Sequence, residues 1–255
     1  MSYPTPAQRF DLTGRVAVVT GGSRGLGAAM VRGFAAAGAD VVIASRNAES
    51  CRTLADEVKQ NTGRRALAVG CHVGHWDELT GLADAAYAEF GRVDVLVNNA
   101  GISPLYPDIP SITEALWDKV FDVNLKGPFR LSQLVGTRMV DAGGGAIINI
   151  STAGTFKPRP EIVPYAAAKA GINVLTEALA HAFGPTVRVN AIVPGTFFSD
   201  ISKAWDMAQF ARDSEAFALR RGGEVDEIVG AALYLASDAA SYTTGALLRV
   251  DGGYC

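Results

Sequence analysis

The sequence predicts an α/β fold: one doubly wound parallel sheet of about seven strands with helices on both faces. Three observations predict it. Short β-branched runs alternate with longer helical stretches from residue 15 to residue 250. The strand runs are apolar throughout rather than at every second position, as in parallel strands covered on both faces. No Pro/Gly/Ser-rich linker breaks the alternation, so residues 1–255 are read as a single domain.

The strands expected, in order, are Arg15–Thr20, Asp40–Ala44, Ala66–Gly70, Val93–Val97, Ala146–Ile150, Val187–Val193 and Leu247–Val250. Between them helices are expected at about 25–37, 48–60, 76–89, 112–141, 161–183 and 224–236, where alanine, leucine and glutamate favour the helix. Strand and helix taking turns gives right-handed crossovers and therefore a parallel sheet.

Composition removes several function classes. At 255 residues, with 49% hydrophobic and 19% charged, the chain can bury a core without staples and lacks the signature of disorder. A formal charge of -3 gives no general basic field for nucleic acid. Cys51, Cys71 and Cys255 make no disulfide framework, and His72, His75 and His181 complete no ligand set. No metal is expected. The first residues carry no signal-like run, and no stretch of about 20 apolar residues could cross a bilayer. A cytoplasmic protein with reduced thiols and no membrane partner is expected.

The first strand runs into Thr20-Gly21-Gly22-Ser23-Arg24-Gly25-Leu26-Gly27, and a helix follows. Glycines let the backbone turn tightly and approach a pyrophosphate, while the helix N-terminus aims free N–H groups at the phosphates. The spacing is Gly-x-x-x-Gly-x-Gly. It is not a P-loop, because no lysine follows the last glycine. The position in the first βαβ unit is the context such a loop needs. The architecture is thus of Rossmann type, with ligand expected at the C-terminal edge of the sheet.

That loop resembles the short-chain dehydrogenase/reductase family, and further motifs extend the resemblance over about residues 10–255. Asn98-Asn99-Ala100-Gly101 follows the fourth strand. Asn124 stands in Asp-Val-Asn-Leu on a long helix. Tyr165-Ala-Ala-Ala-Lys169 matches Tyr-x-x-x-Lys. Pro194-Gly195 follows the sixth strand, and Val250-Asp-Gly-Gly253 follows close to the end of the sequence. The resemblance assigns residues 10–110 mainly to dinucleotide binding and 111–255 to catalysis, substrate and association.

On a helix Tyr165 and Lys169 share a face. A phenol ordinarily titrates near 10, and a nearby ammonium favours the phenolate. Lowering that value by about 3 corresponds to roughly 4 kcal/mol of bias. Tyr165 is then expected as the acid in carbonyl reduction and the base in alcohol oxidation. By resemblance, Lys169 also holds the nicotinamide ribose, and Asn124 supports a water that relays protons towards it. The other reading of Asn124 is a helix-interior side chain bonding backbone. By resemblance, a hydroxyl just after the fifth strand, usually thirteen residues before the tyrosine, polarises the carbonyl oxygen. Thr152 lies thirteen residues before Tyr165 and Ser151 fourteen. The usual spacing selects Thr152, and Ser151 stays open.

At the end of the second strand an acidic side chain would bind the adenosine ribose of NAD. Here the residues are Ala44-Ser45-Arg46-Asn47, and Asp40 sits at the wrong end. Ser45, Arg46 and Arg24 suit the 2′-phosphate of NADP, with NAD as the alternative. After the third strand the family carries Asp-Val against adenine. This chain has His72-Val73, and a neutral imidazole accepts one hydrogen bond. By family position Asn98 contacts the adenosine ribose, Ala100 and Gly101 line the groove, and Pro194, Gly195, Phe197 and Ser199 pass the nicotinamide and pyrophosphate.

Walls for a small carbonyl or alcohol substrate are expected at Ser103–Pro107, Thr155–Pro160 and Thr196–Phe210. The last holds Phe197, Phe198, Trp205, Met207 and Phe210 and reads equally as a flap or a subunit contact. Lys157, Arg159 and Arg220-Arg221 are scattered and mark no acyl-carrier or coenzyme A site. By resemblance, the long helices at 112–141 and 161–183 pair across a dyad, which implies a homotetramer, with a dimer second. The expected activity is an NADP-dependent carbonyl reductase or secondary-alcohol dehydrogenase. An NAD-linked sugar or sugar-acid dehydrogenase, and a non-catalytic nucleotide sensor, are the alternatives.

Overall fold

Each of the seven apolar runs forms a strand in the computed structural model, which describes residues 3–199 and 207–254. In chain order the strands are β1 (Val16–Thr20), β2 (Asp40–Ser45), β3 (Ala66–Gly70), β4 (Val95–Asn98), β5 (Gly145–Ile150), β6 (Val187–Pro194), β7 (Phe197–Phe198), β8 (Gly223–Glu224) and β9 (Leu247–Val250). The helices are α1 (Pro6–Arg9), α2 (Gly25–Ala36), α3 (Ala48–Thr62), α4 (Trp76–Phe90), α5 (Glu114–Phe121), α6 (Gly127–Asp141), α7 (Val163–Phe183), α8 (Met207–Ser214) and α9 (Val229–Ala236).

The main sheet runs β3-β2-β1-β4-β5-β6-β9, and every pairing is parallel. β7 and β8 pair separately. Alternation along β1 explains the two layers. Ala17 and Val19 pack with Phe34 of α2, Leu54 of α3 and Leu235 of α9. Val16 and Val18 pack with Leu82 of α4, Leu131 of α6 and Ala180 of α7. Both faces are covered, which is why the strands read as unbroken apolar runs. The order reverses between β1 and β4, so a crevice opens there at the C-terminal ends of the strands.

The helix expected at 112–141 is divided. α5 and α6 are joined by a π-helical turn at Asp122–Lys126. In a regular helix the Pro128 ring would press on the carbonyl of Asn124, four residues back. A Cβ on Gly127 would lie 2.1 Å from the Val73 carbonyl, so the turn also packs closely against the β3–α4 loop. The stretch from 224 begins as a 3-10 turn at Val225–Ile228 before α9. The short elements α1 and α8 and the β7–β8 pair were not expected from the sequence. Among the described residues, no helix is long and apolar enough to cross a membrane.

Candidate active site

The C-terminal edge of the sheet opens into a cleft of about 530 Å³, within the roughly 300–1,000 Å³ of small-molecule sites. Its first wall is the glycine loop. Gly21 and Gly25 have φ of +62° and +53°, a region open to glycine. A Cβ on Gly27 would meet the Gly21 carbonyl at 2.2 Å. No side chain fits there. α2 starts at Gly25 with no side-chain cap on Arg24, so its first amides keep their donors for a ligand at the cleft wall. Ser23, Arg24 and Leu26 line the same wall, and a Cβ on Gly25 would lie 3.6 Å from Ser199 Cβ.

Asn99 fastens this loop. Its Nδ2 donates to the carbonyls of Thr20 (2.8 Å) and Gly21 (3.2 Å), while Thr20 Oγ1 accepts from Asn99 N and Ala100 N. Sequence reasoning placed Asn98 on the cofactor. The side chain of Asn98 instead lies under the cleft floor, 2% exposed, donating to Ser132 Oγ and Asn149 Oδ1, both at 2.9 Å. Alternation along β4 puts neighbouring side chains on opposite sides. The Asn-Asn pair carried this signal, and Asn99, Ala100 and Gly101 line the cleft.

At the end of β2, Ser23 Oγ donates to Ser45 Oγ at 3.0 Å. Arg24 and Arg46 are exposed, and both line the cleft. His72 and Val73 line it too. The His72 ring stacks on His75 at 4.1 Å, and its Nδ1 accepts from Gly74 N at 3.2 Å. Burial and His75 hold its pKa below the ordinary value. The neutral ring therefore carries its proton on Nε2 and offers a donor. The single acceptor expected from sequence is already used by Gly74.

Pro194, Gly195, Thr196, Phe197 and Ser199 close the far side. A Cβ on Gly195 would meet Asp251 Cα at 2.7 Å. Phe198, Phe210 and Phe217 form an edge-on aromatic series. Trp205, the centre of the expected flap, lies outside the described residues.

The reacting end is assembled by β5 and α7. Lys169 is 2% exposed. Its Nζ donates to the Ile150 carbonyl at 2.7 Å and stands 5.9 Å from the centre of the Tyr165 ring. Burial pushes its pKa down to about 8. Burial holds the Tyr165 phenol above its ordinary value, and the neighbouring Thr152 hydroxyl offsets only part of that rise. The direction is opposite to that expected from the Tyr/Lys spacing. The reason is that both groups are desolvated, and the lysine spends a hydrogen bond on Ile150.

The two candidate hydroxyls separate. Ser151 Oγ is turned into α7 and donates to Asn173 Oδ1 at 2.6 Å. Asn173 Nδ2 donates to Thr155 Oγ1 at 3.1 Å, and Thr155 Oγ1 donates to the Thr152 carbonyl at 2.9 Å. Ser151 thus braces the loop that carries Thr152. Asn124 is fully buried behind the cleft. Its Nδ2 donates to the carbonyls of Ile102 (2.8 Å) and Val120 (2.9 Å), and its Oδ1 accepts from Ile102 N. These are the backbone ties of the alternative reading. A Cβ on Gly101 would meet Asn124 Oδ1 at 2.9 Å and Lys169 Nζ at 3.6 Å, so the three residues adjoin.

Among the described residues, no group of three metal-ligating side chains exists. Comparison with known proteins fits this geometry. Residues 15–209 match the family model described as short chain dehydrogenase. The D-threitol dehydrogenase of Mycolicibacterium smegmatis is 39% identical over 96% of this chain and 94% of its own. A gluconate 5-dehydrogenase from Burkholderia cenocepacia, solved with NADP and tartrate, is 36% identical with a TM-score of 0.93, covering 98% of both chains. A 7α-hydroxysteroid dehydrogenase complexed with NADH and 7-oxo glycochenodeoxycholic acid is 34% identical, also with a TM-score of 0.93 and 98% of both chains covered. The chain belongs to the short-chain dehydrogenase/reductase family of oxidoreductases.

Proposed function

We infer that the protein is an NADP-dependent oxidoreductase that interconverts a ketone or aldehyde with an alcohol. The observation that carries this reading is that Thr152, a half-buried Tyr165 and the buried Lys169 line one end of a cleft whose other end is a glycine loop. The loop fits a pyrophosphate, because side chains are excluded there and the first amides of α2 are uncapped. When bound, the dinucleotide supplies hydride to the carbonyl carbon or takes it from the alcohol.

The chain's own residues do the rest. The carbonyl oxygen sits between Thr152 and Tyr165. The Thr152 hydroxyl donates to it and stabilises the developing alkoxide. The Tyr165 phenol gives up its proton to the oxygen as the carbon accepts hydride, and takes it back in oxidation. Lys169 offers an ammonium beside the ring and donors to ribose hydroxyls. Asn124 holds the Ile102 loop against the π turn, and so fixes the wall next to Lys169.

The relatives bind NADP in one case and NADH in another, so the cofactor is argued from this chain. Arg24 and Arg46 have no carboxylate partner among the described residues, and no acidic residue stands at the end of β2. Two unneutralised cations favour a 2′-phosphate. An NAD-linked sugar dehydrogenase is the second reading, favoured by the threitol-type relative. Self-association as a tetramer is part of the proposal. Trp117 on α5 and Val174 on α7 are 38% and 69% exposed, and light scattering tests it.

Oxidation of NADPH with a panel of ketones tests the reaction. Tyr165→Phe should lower kcat by about 10²–10⁴-fold and leave NADPH binding within about threefold. Binding of NADPH without turnover of any carbonyl, unchanged by Tyr165→Phe, refutes it.

A further inference from the structure

Lys157 and Arg159 lie on the segment between β5 and α7, just beyond Thr152, and both are exposed. In the sequence they form no cluster. In the structure they converge on one ring. Lys157 Nζ stands 5.8 Å from the centre of Tyr254, and Arg159 Cζ stands 6.0 Å from it. Tyr254 lines the same cleft as Thr152 and Tyr165. Phe217 meets its ring edge-on at 5.1 Å.

The chain carries a formal charge of -3, and many of its arginines are neutralised, although Arg24 and Arg46 in the same cleft are not. Arg32, Arg65, Arg92, Arg138 and Arg221 each hold a carboxylate. Arg249, over the nearby Phe156 ring, is neutralised by Asp251 at 2.7 Å. Lys157 and Arg159 have no carboxylate partner among the described residues, and Glu161 in the following turn pairs with neither. Two cations without a carboxylate thus approach one aromatic ring of the cleft wall. An apolar substrate would gain nothing from them.

We propose that Lys157, Arg159 and Tyr254 form an anion subsite, and that the substrate carries a carboxylate on the side remote from its reacting carbon. The proposal rests on the oxidoreductase reading above and names its substrate class. A carboxylate accepts charge-assisted hydrogen bonds from an ammonium and from the guanidinium fork, and a phenol can add a third donor. Contact with the one ring restrains each side chain before any ligand arrives, which reduces the ordering cost of binding.

The test uses levulinate and its longer methyl-ketone homologues, each against its own methyl ester. The parent protein is compared with the double variant Lys157→Gln/Arg159→Gln. The parent should favour acid over ester in kcat/KM by about tenfold at low salt. That ratio should fall towards one in the double variant and on adding salt. A ratio of one in the parent, or one that the double variant leaves unaltered, overturns the proposal. A phosphorylated hydroxyketone preferred over every oxo acid also overturns it, because the anion would then be a phosphoryl group. Failure to reduce any ketone would strike the reaction rather than the subsite. Calorimetric binding of the same acid and ester pairs then decides. Acid binding that the double variant weakens supports the subsite, and binding without preference for the acid refutes it.

Discussion

Lys169→Met should change the pH dependence of stability in the cofactor-free protein. In the folded chain the ammonium is 2% exposed and its pKa is pushed down to about 8 by burial. Unfolded, it titrates near 10.4. Below about pH 8 the lysine is charged in both states, and the folded state bears the cost of the buried charge. Between the two values the unfolded chain binds more protons, so stability rises with pH. At 1.36 kcal/mol per pKa unit the whole effect is about 3 kcal/mol. Methionine removes the charge but also orphans the Ile150 carbonyl, which accepts from Nζ at 2.7 Å. That loss costs about 1–3 kcal/mol and is the same at every pH. The double difference, variant minus parent between about pH 7 and about pH 10, isolates the charge. It should be about 2–3 kcal/mol, with the variant relatively better at pH 7. Urea unfolding at both pH values, at fixed protein concentration, measures it. Parallel stability curves would refute the claim that this site stores the cost of a buried ammonium.

Arg46→Ala should raise the KM for NADPH by roughly tenfold and leave NADH use within about twofold, as expected for one charge-assisted contact to a 2′-phosphate; steady-state kinetics with both cofactors reads this. Thr152→Ala should lower kcat by about 10²-fold or more, whereas Ser151→Ala should act mainly on stability, by about 1–2 kcal/mol, through its part-buried bond to Asn173; comparing kcat with denaturation midpoints separates the two. In cofactor-free protein the phenolate absorbance that Tyr165→Phe removes should appear only above about pH 10, the ordinary phenol range, because burial raises this group; ionisation near neutral pH would overturn that.

The strands were legible because both faces of the sheet are covered. A run such as Val16–Thr20, buried at every position, has no amphipathic alternative to confuse it. The glycine loop was legible because its geometry excludes side chains. The break in the long helix was not read, although Gly127-Pro128 announced it, since the wide turn depends on Pro128 meeting the Asn124 carbonyl and on close contact with Val73. The separate directions of the Asn98 and Asn99 side chains were hidden for a related reason. Adjacent asparagines at a strand end look alike in sequence, and only the alternation of the strand decides which one lies beneath the floor. Lys157 and Arg159 looked scattered because Tyr254, the ring they share, is almost a hundred residues away.

The Tyr/Lys pair marks the limit of reasoning from spacing alone. Helical spacing puts the two side chains on one face, and that much holds. What spacing cannot supply is the local dielectric. Burial drives the phenol and the ammonium in opposite directions, each towards its neutral form. The chain by itself therefore holds Tyr165 as a proton donor, the state that carbonyl reduction needs. A phenolate for alcohol oxidation has to be stabilised by charge that arrives with the bound dinucleotide or by a stronger hold of Lys169 on the ring. Because the Nζ–Ile150 bond competes with that hold, any group that draws Nζ away from the carbonyl and towards the ring lowers the phenol's pKa. On the proposed reading the acid–base centre is thus a shared property of protein and ligand, since burial in the chain alone holds both groups towards their neutral forms.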